Sequence, residues 1–386
     1  MTARRENPGQ NELPMFVVLH PAFALTGVLH AIGGALLPSV ASAFQLTDAQ
    51  SGSLFFWYYL GTSLGALCCV GRYARLMTAG FLLATGSCLG VAFATNAWLR
   101  PLFLLLGVGV GIPMTAVSML AGRRFADRSA VPLTLLNFSW SLGAFLAPLV
   151  AARVLMRYNY RTAYEGLAMA ASAAAIACLL GLDDDAGTPA HDANAGSPAF
   201  QLRWIALFAV LTFLEVGIEN TTATWLATYT LRSSHAGTAS AAASTSFYWC
   251  GFLASRGLSW LVLLREDPRR VLRMAVIAAL GAAVLLVGLR AAPFRDAAMF
   301  ALGAALAPIF PLLLARFFAG ADNTDDSRWM LATCGFGGSV LPWITGWISA
   351  ASHSLRLGLM TVPSALLLMT LLLAAQRPGS ARSKRA

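Results

Sequence analysis

The stretch Phe55-Phe56-Trp57-Tyr58-Tyr59-Leu60-Gly61 has a counterpart 190 positions later, Thr245-Ser246-Phe247-Tyr248-Trp249-Cys250-Gly251, again an aromatic cluster closed by glycine. A second match follows in the same order. Gly143-Ala144-Phe145-Leu146-Ala147-Pro148 corresponds to Gly337-Gly338-Ser339-Val340-Leu341-Pro342, 194 positions on. A third is a proline-bearing apolar run, with Pro113 in one half and Pro308 and Pro311 in the other. Shared composition could produce any one of these. Three in order at a nearly constant offset predict two copies of one unit in tandem.

The unit is a membrane bundle. Of 386 residues, 58% are hydrophobic and 11% charged, and the mean hydropathy is +0.67. A soluble domain carries about 25% charged residues. Apolar runs of the ~20 residues needed to cross a bilayer fall at 15–39, 52–70, 76–95, 101–121, 131–155 and 160–182, then at 204–231, 241–264, 271–289, 297–318, 329–349 and 357–375. The predicted fold is an all-α integral membrane protein with 12 transmembrane helices in two pseudo-symmetric six-helix bundles. Its parts are a tail (1–14), a bundle (15–182), a linker beginning Asp183-Asp184-Asp185 (183–203), a second bundle (204–375) and a basic tail (376–386).

Counting bases in alternating loops sets the orientation. One side holds 18, among them Arg4, Arg5, Arg128, Arg377, Arg382, Lys384 and Arg385; the other holds 8, and Arg256 lies inside a span. Both termini and the linker are therefore expected on the cytoplasmic side of the cell (inner) membrane. The net charge of +10 is spread over short loops between apolar runs, which marks topology and not a nucleic-acid surface. The six cysteines lie in apolar segments without metal-type spacing, so no disulfide or metal site is expected. The glycine runs Gly33-Gly34 and Gly107-x-Gly109-x-Gly111 have no strand–helix context and no following Lys-Ser/Thr, so they read as helix packing. No ATP-driven pump is encoded here.

Chemistry concentrates in the seventh span, Phe213-Leu214-Glu215-Val216-Gly217-Ile218-Glu219-Asn220-Thr221-Thr222-Ala223-Thr224-Trp225-Leu226-Ala227-Thr228-Tyr229. Glu215 and Glu219 stand one above the other on one helical face. An ionised carboxylate at mid-membrane costs ~2.5–3.5 kcal/mol on insertion scales, so such residues face a cavity and carry function. The bland alternative is that one of them merely neutralises Arg256. By depth, Glu215 and Arg256 are expected to form a structural or gating ion pair, which leaves Glu219, one turn deeper, for proton coupling. His30 falls at the repeat position of Asn220 and is a candidate to share that proton; a histidine bonded to a neighbouring helix is the alternative. His20 reads as interfacial. A polyhydroxylated substrate needs amides, hydroxyls and flat rings. The candidates are Asn137, Trp140, Asn220, Thr221, Thr224, Trp225, Tyr248, Trp249 and Trp343, against the alternative that such aromatics anchor helix ends.

Six spans, a linker and six more resemble the major facilitator superfamily. That resemblance implies two bundles rocking about a central cavity, and a transporter that is not an enzyme. The stretch Gly217-Ile218-Glu219 with Trp225-Leu226 and Tyr229, and the run Phe247-Tyr248-Trp249, Gly251-Phe252 and Ser255-Arg256, are similar to helices seven and eight of the L-fucose permease and glucose/mannose symporter branch. This implies hexose import with a proton or sodium ion. Two features depart from the pattern. The loop Gly71-Arg72-Tyr73-Ala74-Arg75 keeps the family's bases without its acid, and the carboxylates that fucose permeases carry on helices one and four are absent. The expected function is secondary active, proton-coupled import of a sugar or related polar molecule by alternating access. The expected partners are a small-molecule substrate and the bilayer; no nucleic acid and no cofactor beyond the coupling ion are needed, and one chain suffices as a monomer. The alternatives are an organic-anion or siderophore transporter with Arg256 as anion clamp, a multidrug efflux antiporter, or a non-transporting membrane receptor.

Overall fold

The computed structural model describes residues 12–124, 130–182, 198–234, 237–289, 291–320 and 327–376. The first bundle comprises α1 (Glu12–Phe44), α2 (Asp48–Leu67), α3 (Tyr73–Phe93), α4 (Asn96–Arg124), α5 (Ala130–Leu155) and α6 (Tyr160–Gly181). The second opens with α7 (Pro198–Ser234); its next crossing is split into α8 (Thr238–Ser244) and α9 (Ser246–Leu263). Then come α10 (Pro268–Gly288), a crossing split into α11 (Ala292–Leu306) and α12 (Ile309–Gly320), α13 (Ser327–Ser352), and a last crossing split into α14 (Leu355–Gly358) and α15 (Thr361–Ala374). Each of the twelve predicted spans is covered by a helical crossing. Helices α1 and α7 start earlier than their apolar runs, at Glu12 and Pro198. Most of the predicted tails and linker, with Arg4, Arg5, Arg128, Arg377, Arg382, Lys384 and Arg385, lie outside the described residues.

Local sequence places several of these ends. Thr47 and Gln50 form a reciprocal capping box at the start of α2. Asn159 caps α6, and Asp267 caps α10 just before Pro268 at its first position. The matched prolines behave differently from one another. Pro113 sits inside an unbroken α4, whereas the turn at Ala307–Pro308 divides α11 from α12. A proline ring clashes with the carbonyl four residues back and offers no N–H, and the tenth crossing, with Pro308 and Pro311 together, yields there.

Eight crossings are long and apolar enough to be recognised as membrane spans from hydropathy alone. The other four are α2, α7, the α8–α9 crossing and α13. Helix α13 packs along both α7 and α2, α1 packs on α5 and α7, and α5 packs on α8 and α9. All four lie on the seam between bundles, where a polar side chain avoids lipid, and the more apolar α1 and α5 complete that seam.

The repeat is visible at the backbone. A Cβ on Gly61 would run into the Leu104 carbonyl of α4, and one on Gly107 into the Tyr58 carbonyl of α2. In the second bundle a Cβ on Gly251 would meet the Phe300 carbonyl of α11, and one on Gly303 the Tyr248 carbonyl of α9. The α1–α5 pair places Gly143 on the Ala24 carbonyl, and the α7–α13 pair places Gly337 on the Phe213 carbonyl. Both bundles therefore close the same helix pairs with glycine at the same repeat positions, the close approach that small residues allow in membranes.

Gly61→Ala and Gly251→Ala are accordingly expected to destabilise the protein by similar amounts, about 1–3 kcal/mol each for overpacking. Gly166→Ala, which meets nothing within 4 Å, should be neutral. Melting in detergent checks all three, and a harmless Gly251→Ala would refute the equivalence.

Candidate substrate site between the bundles

Helix α7 carries Glu215 near its middle, 1% exposed, with neither carboxylate oxygen hydrogen-bonded among the described residues. Glu219 follows one turn on and is half-buried. Asn220, Thr221 and Thr224 are buried beside it. Thr224 shares a 3.4 Å hydroxyl contact with Tyr59 of α2, so α7 is bonded across the seam. Opposite stands His30 of α1, with ring centroids at 5.3 Å from Trp140, 5.6 Å from Tyr59, 6.4 Å from Tyr58 and 6.5 Å from Trp249. Asn220 is the polar side chain that acts on His30, and neither ring nitrogen completes a hydrogen bond among the described residues. Trp140 of α5 and Trp249 of α9 meet edge-on at 5.9 Å, and Tyr248 and Phe252 extend the layer.

The predicted Glu215–Arg256 ion pair is not formed. Arg256 donates instead to the Ser141 hydroxyl of α5 at 3.1 Å, and its guanidinium lies 4.6 Å from the Phe252 ring centroid and 5.4 Å from that of Trp140. It remains within electrostatic reach of both acids, and of Glu219 more than Glu215. Matching depths along two helices fixes height but not the direction in which a side chain leaves its helix, and here Arg256 leaves toward α5. Its hydrogen bond therefore joins the two bundles.

The other expected residues divide. His30, Trp140, Asn220, Thr221, Thr224, Tyr248 and Trp249 gather with Glu215 and Glu219 around the seam. Trp225 is fully buried, and its indole N–H donates to the Pro342 carbonyl at 3.0 Å, so it fastens α7 to α13. Trp343 is 41% exposed and touches Phe56, outside the ring layer. Asn137 is exposed, one turn before Ser141, whose hydroxyl donates to the Asn137 carbonyl. His20 hydrogen-bonds with Ser139 of α5 at 2.7 Å. Sequence reasoning passed over Tyr58, Tyr59, Ser141 and Phe252. The repeat could have supplied the tyrosines, because Tyr58-Tyr59 stand where Tyr248-Trp249 stand in the second half; nothing in the sequence singles out Ser141.

The pattern defining the Major Facilitator Superfamily matches residues 19–327. The chain belongs to that superfamily. It is a multi-pass membrane transporter and not an enzyme. Among its relatives is the glucose/mannose transporter GlcP of Bacillus subtilis (strain 168), 23% identical over 367 residues, covering 89% of this chain and 90% of GlcP. Among solved structures, the E. coli fucose:proton symporter FucP aligns at TM-score 0.61 and 18% identity, covering 95% of this chain and 100% of the other. The nucleoside transporter NupG aligns at 0.77 and 12%, covering 95% and 99%. At these identities the structures share the fold alone.

In this facilitator the seam is clasped at the end away from the chain termini. Asp48 at the start of α2 receives two hydrogen bonds from Arg232 of α7, at 2.6 and 2.7 Å, and one from Ser349 of α13 at 2.5 Å. Among the described residues it is the ion pair that joins the bundles. Burial alone would push the Asp48 carboxyl up, but the hydrogen bonds from Arg232 and Ser349 and the Arg232 charge outweigh it and hold the group below its ordinary value. The clasp's contribution is therefore complete above the ordinary carboxylate value and lost as pH falls through the lowered one. Asp48→Asn should loosen this end at every pH, at a cost of about 1 kcal/mol. It should raise hydrogen exchange over residues 46–52 and 343–350, corrected for intrinsic rate. The wild type should match it only in strong acid; identical exchange in both proteins at neutral pH would show that the clasp holds nothing.

Proposed function

We propose that this transporter imports a hexose or related polyol together with a proton, by alternating access of a site between its bundles. The observation that carries this reading is a set of buried polar atoms without partners among the described residues, gathered in one aromatic layer. They are both nitrogens of His30, the indole nitrogen of Trp140, both oxygens of Glu215, and the hydroxyls of Thr221 and Tyr248. Buried polar groups are ordinarily paired, and an unpaired one costs stability. Donors and acceptors left open side by side suit a ligand that offers both, and adjacent hydroxyls on a flat-faced ring do so. The indoles of Trp140 and Trp249 supply apolar faces for such a ring.

Glu219 is the proton carrier in this reading, Glu215 supports it, and His30 faces the pair across the seam. Arg256 draws the second bundle toward α5 through Ser141. No further cofactor is needed. The basic-residue bias puts both termini and the linker in the cytoplasm, so the Asp48 clasp closes the outer end. GlcP, a sugar transporter related along nearly its whole length, supports the substrate class. One observation favours a second reading: Arg256 has no carboxylate within 4.0 Å among the described residues, which leaves its charge free to clamp an organic anion.

The test is thermal stabilisation of purified protein by hexoses, polyols, nucleosides, carboxylates and hydrophobic cations at about pH 5.5 and about pH 7.5, followed by uptake into proteoliposomes. A hexose should stabilise the protein, more so at the lower pH. Glu219→Gln should cut pH-driven accumulation at least tenfold while leaving sugar exchange across the membrane. Full pH-dependent accumulation by Glu219→Gln would remove its proton role. Stabilisation confined to anions and lost in Arg256→Lys, which lacks the planar fork, would replace the sugar reading with the anion one.

A further inference from the structure

The two repeats are alike in backbone at Tyr58 and Tyr248 and unlike in what their hydroxyls do. Each tyrosine's carbonyl receives a glycine from the neighbouring helix, Gly107 for Tyr58 and Gly303 for Tyr248. The scaffold thus holds both residues in the same way. The Tyr58 hydroxyl donates to the Leu29 carbonyl of α1 at 3.2 Å. The 190-residue offset sets Leu29 against Glu219 and His30 against Asn220, and the matched contacts of Gly143 with Ala24 and of Gly337 with Phe213 set Leu29 one residue earlier, against Ile218. Tyr248 should then donate to the Ile218 or the Glu219 carbonyl of α7, and it donates to neither. Its hydroxyl is buried with no partner among the described residues. The residue is fully buried, its ring lies 5.0 Å from Trp249 and 6.2 Å from Phe252, and Glu219, Glu215, Tyr59 and Arg256 are the ionisable groups within its electrostatic reach.

The repeat is therefore broken in one layer, where Leu29-His30 in one bundle faces Glu219-Asn220 in the other. Two explanations compete for the open hydroxyl. One is a packing accident: unpartnered buried groups also occur away from this layer, at Ser51, Thr228 and Arg316 among others, so an open hydroxyl by itself decides nothing. Tyr248 is set apart by its repeat counterpart, which shows that the same scaffold can close the bond, and by the unpaired Glu215 oxygens and Trp140 N–H of its own layer. Deepening the sugar reading, on which it rests, we propose that Tyr248 is a specificity-determining residue whose open hydroxyl is satisfied by an oxygen of the transported polyol, while Tyr58 keeps the structural form of the same contact.

Paired substitutions test this. Tyr58→Phe removes a made hydrogen bond and should lower the melting temperature of the empty protein. Tyr248→Phe removes an unpaired hydroxyl and should leave the melting temperature equal or higher. With glucose, mannose, galactose and fucose as probes, Tyr248→Phe should weaken whichever sugar binds by about 2–10-fold, the worth of one neutral hydrogen bond. Among monodeoxy analogues of the binding sugar, one should lose affinity against the wild type and lose nothing further against Tyr248→Phe. If Tyr248→Phe destabilises the empty protein as Tyr58→Phe does, its hydroxyl is bonded internally and the proposal fails. If sugar affinity survives Tyr248→Phe intact, the proposal fails and the sugar reading stands. If no sugar stabilises the wild type, the sugar reading fails and takes the proposal with it.

Discussion

Hydrocarbon cannot solvate a peptide group or a charge, and the architecture follows from that constraint. Every backbone N–H and C=O within the bilayer must bond inside the protein, which leaves helices as the building unit for a chain of this composition. The polar side chains then have one refuge, the seam where two bundles face each other. That is why α2, α7, α9 and α13 are the crossings that hydropathy fails to recognise, and why Glu215, Asn220, Thr221 and Thr224 are buried against protein. The seam solves the solvation problem only in part. Its remaining open donors and acceptors are what a transported molecule can complete.

The sequence was most legible where one residue type has one physical use. Long apolar runs became crossings, and glycines repeated at 190 and 194 positions became matching backbone contacts in both bundles. Side-chain direction was least legible. Glu215 and Arg256 are at matched depth, but the guanidinium points to Ser141, 115 positions back in the chain. Trp225 looked like a sugar platform because tryptophans stack on rings, yet its N–H closes on a carbonyl 117 positions away. The Asp48–Arg232 clasp joins residues 184 positions apart, and no motif in the sequence marks either of them. Composition and periodicity carry no information about such pairings, because they depend on how two rigid bundles meet.

The repeat offers a way of separating scaffold from function inside one chain. Positions that do the same job in both halves, such as Gly61 and Gly251 or Gly107 and Gly303, belong to the scaffold. Positions that differ at equivalent sites mark where the scaffold was adapted. Leu29 or His30 against Glu219 is such a difference, since either way a carboxylic acid stands where the other half has none. Thr224 and Tyr59 meeting across the seam, and Arg256 bonding Ser141, show that the adapted layer is also where the bundles hold each other. A ligand that changed the protonation or pairing of this layer would change the contact between bundles directly, without a relay through either core.

For two bundles to exchange between arrangements, the contacts joining them must be worth only a few kcal/mol more in one state than in the other. The seam is built accordingly. At the clasped end a Cβ on Gly346 would strike the Asp48 carbonyl, and one on Gly34 of α1 would strike the Ala223 carbonyl of α7. Glycine against carbonyl gives close contact without interlocked side chains, and the Phe56–Trp343 ring contact adds a side-chain pair that must part as well. The Asp48 carboxylate is the charged group that joins the bundles at this end among the described residues. Arg232 is half-exposed at the surface, where water can replace the contact and keep its net worth small. Deep in the seam the reverse holds: once the bundles part around Arg256, a charge that now rests on two aromatic faces and one serine needs a new partner. Glu219 and Glu215 of α7 are the acidic groups already within its electrostatic reach.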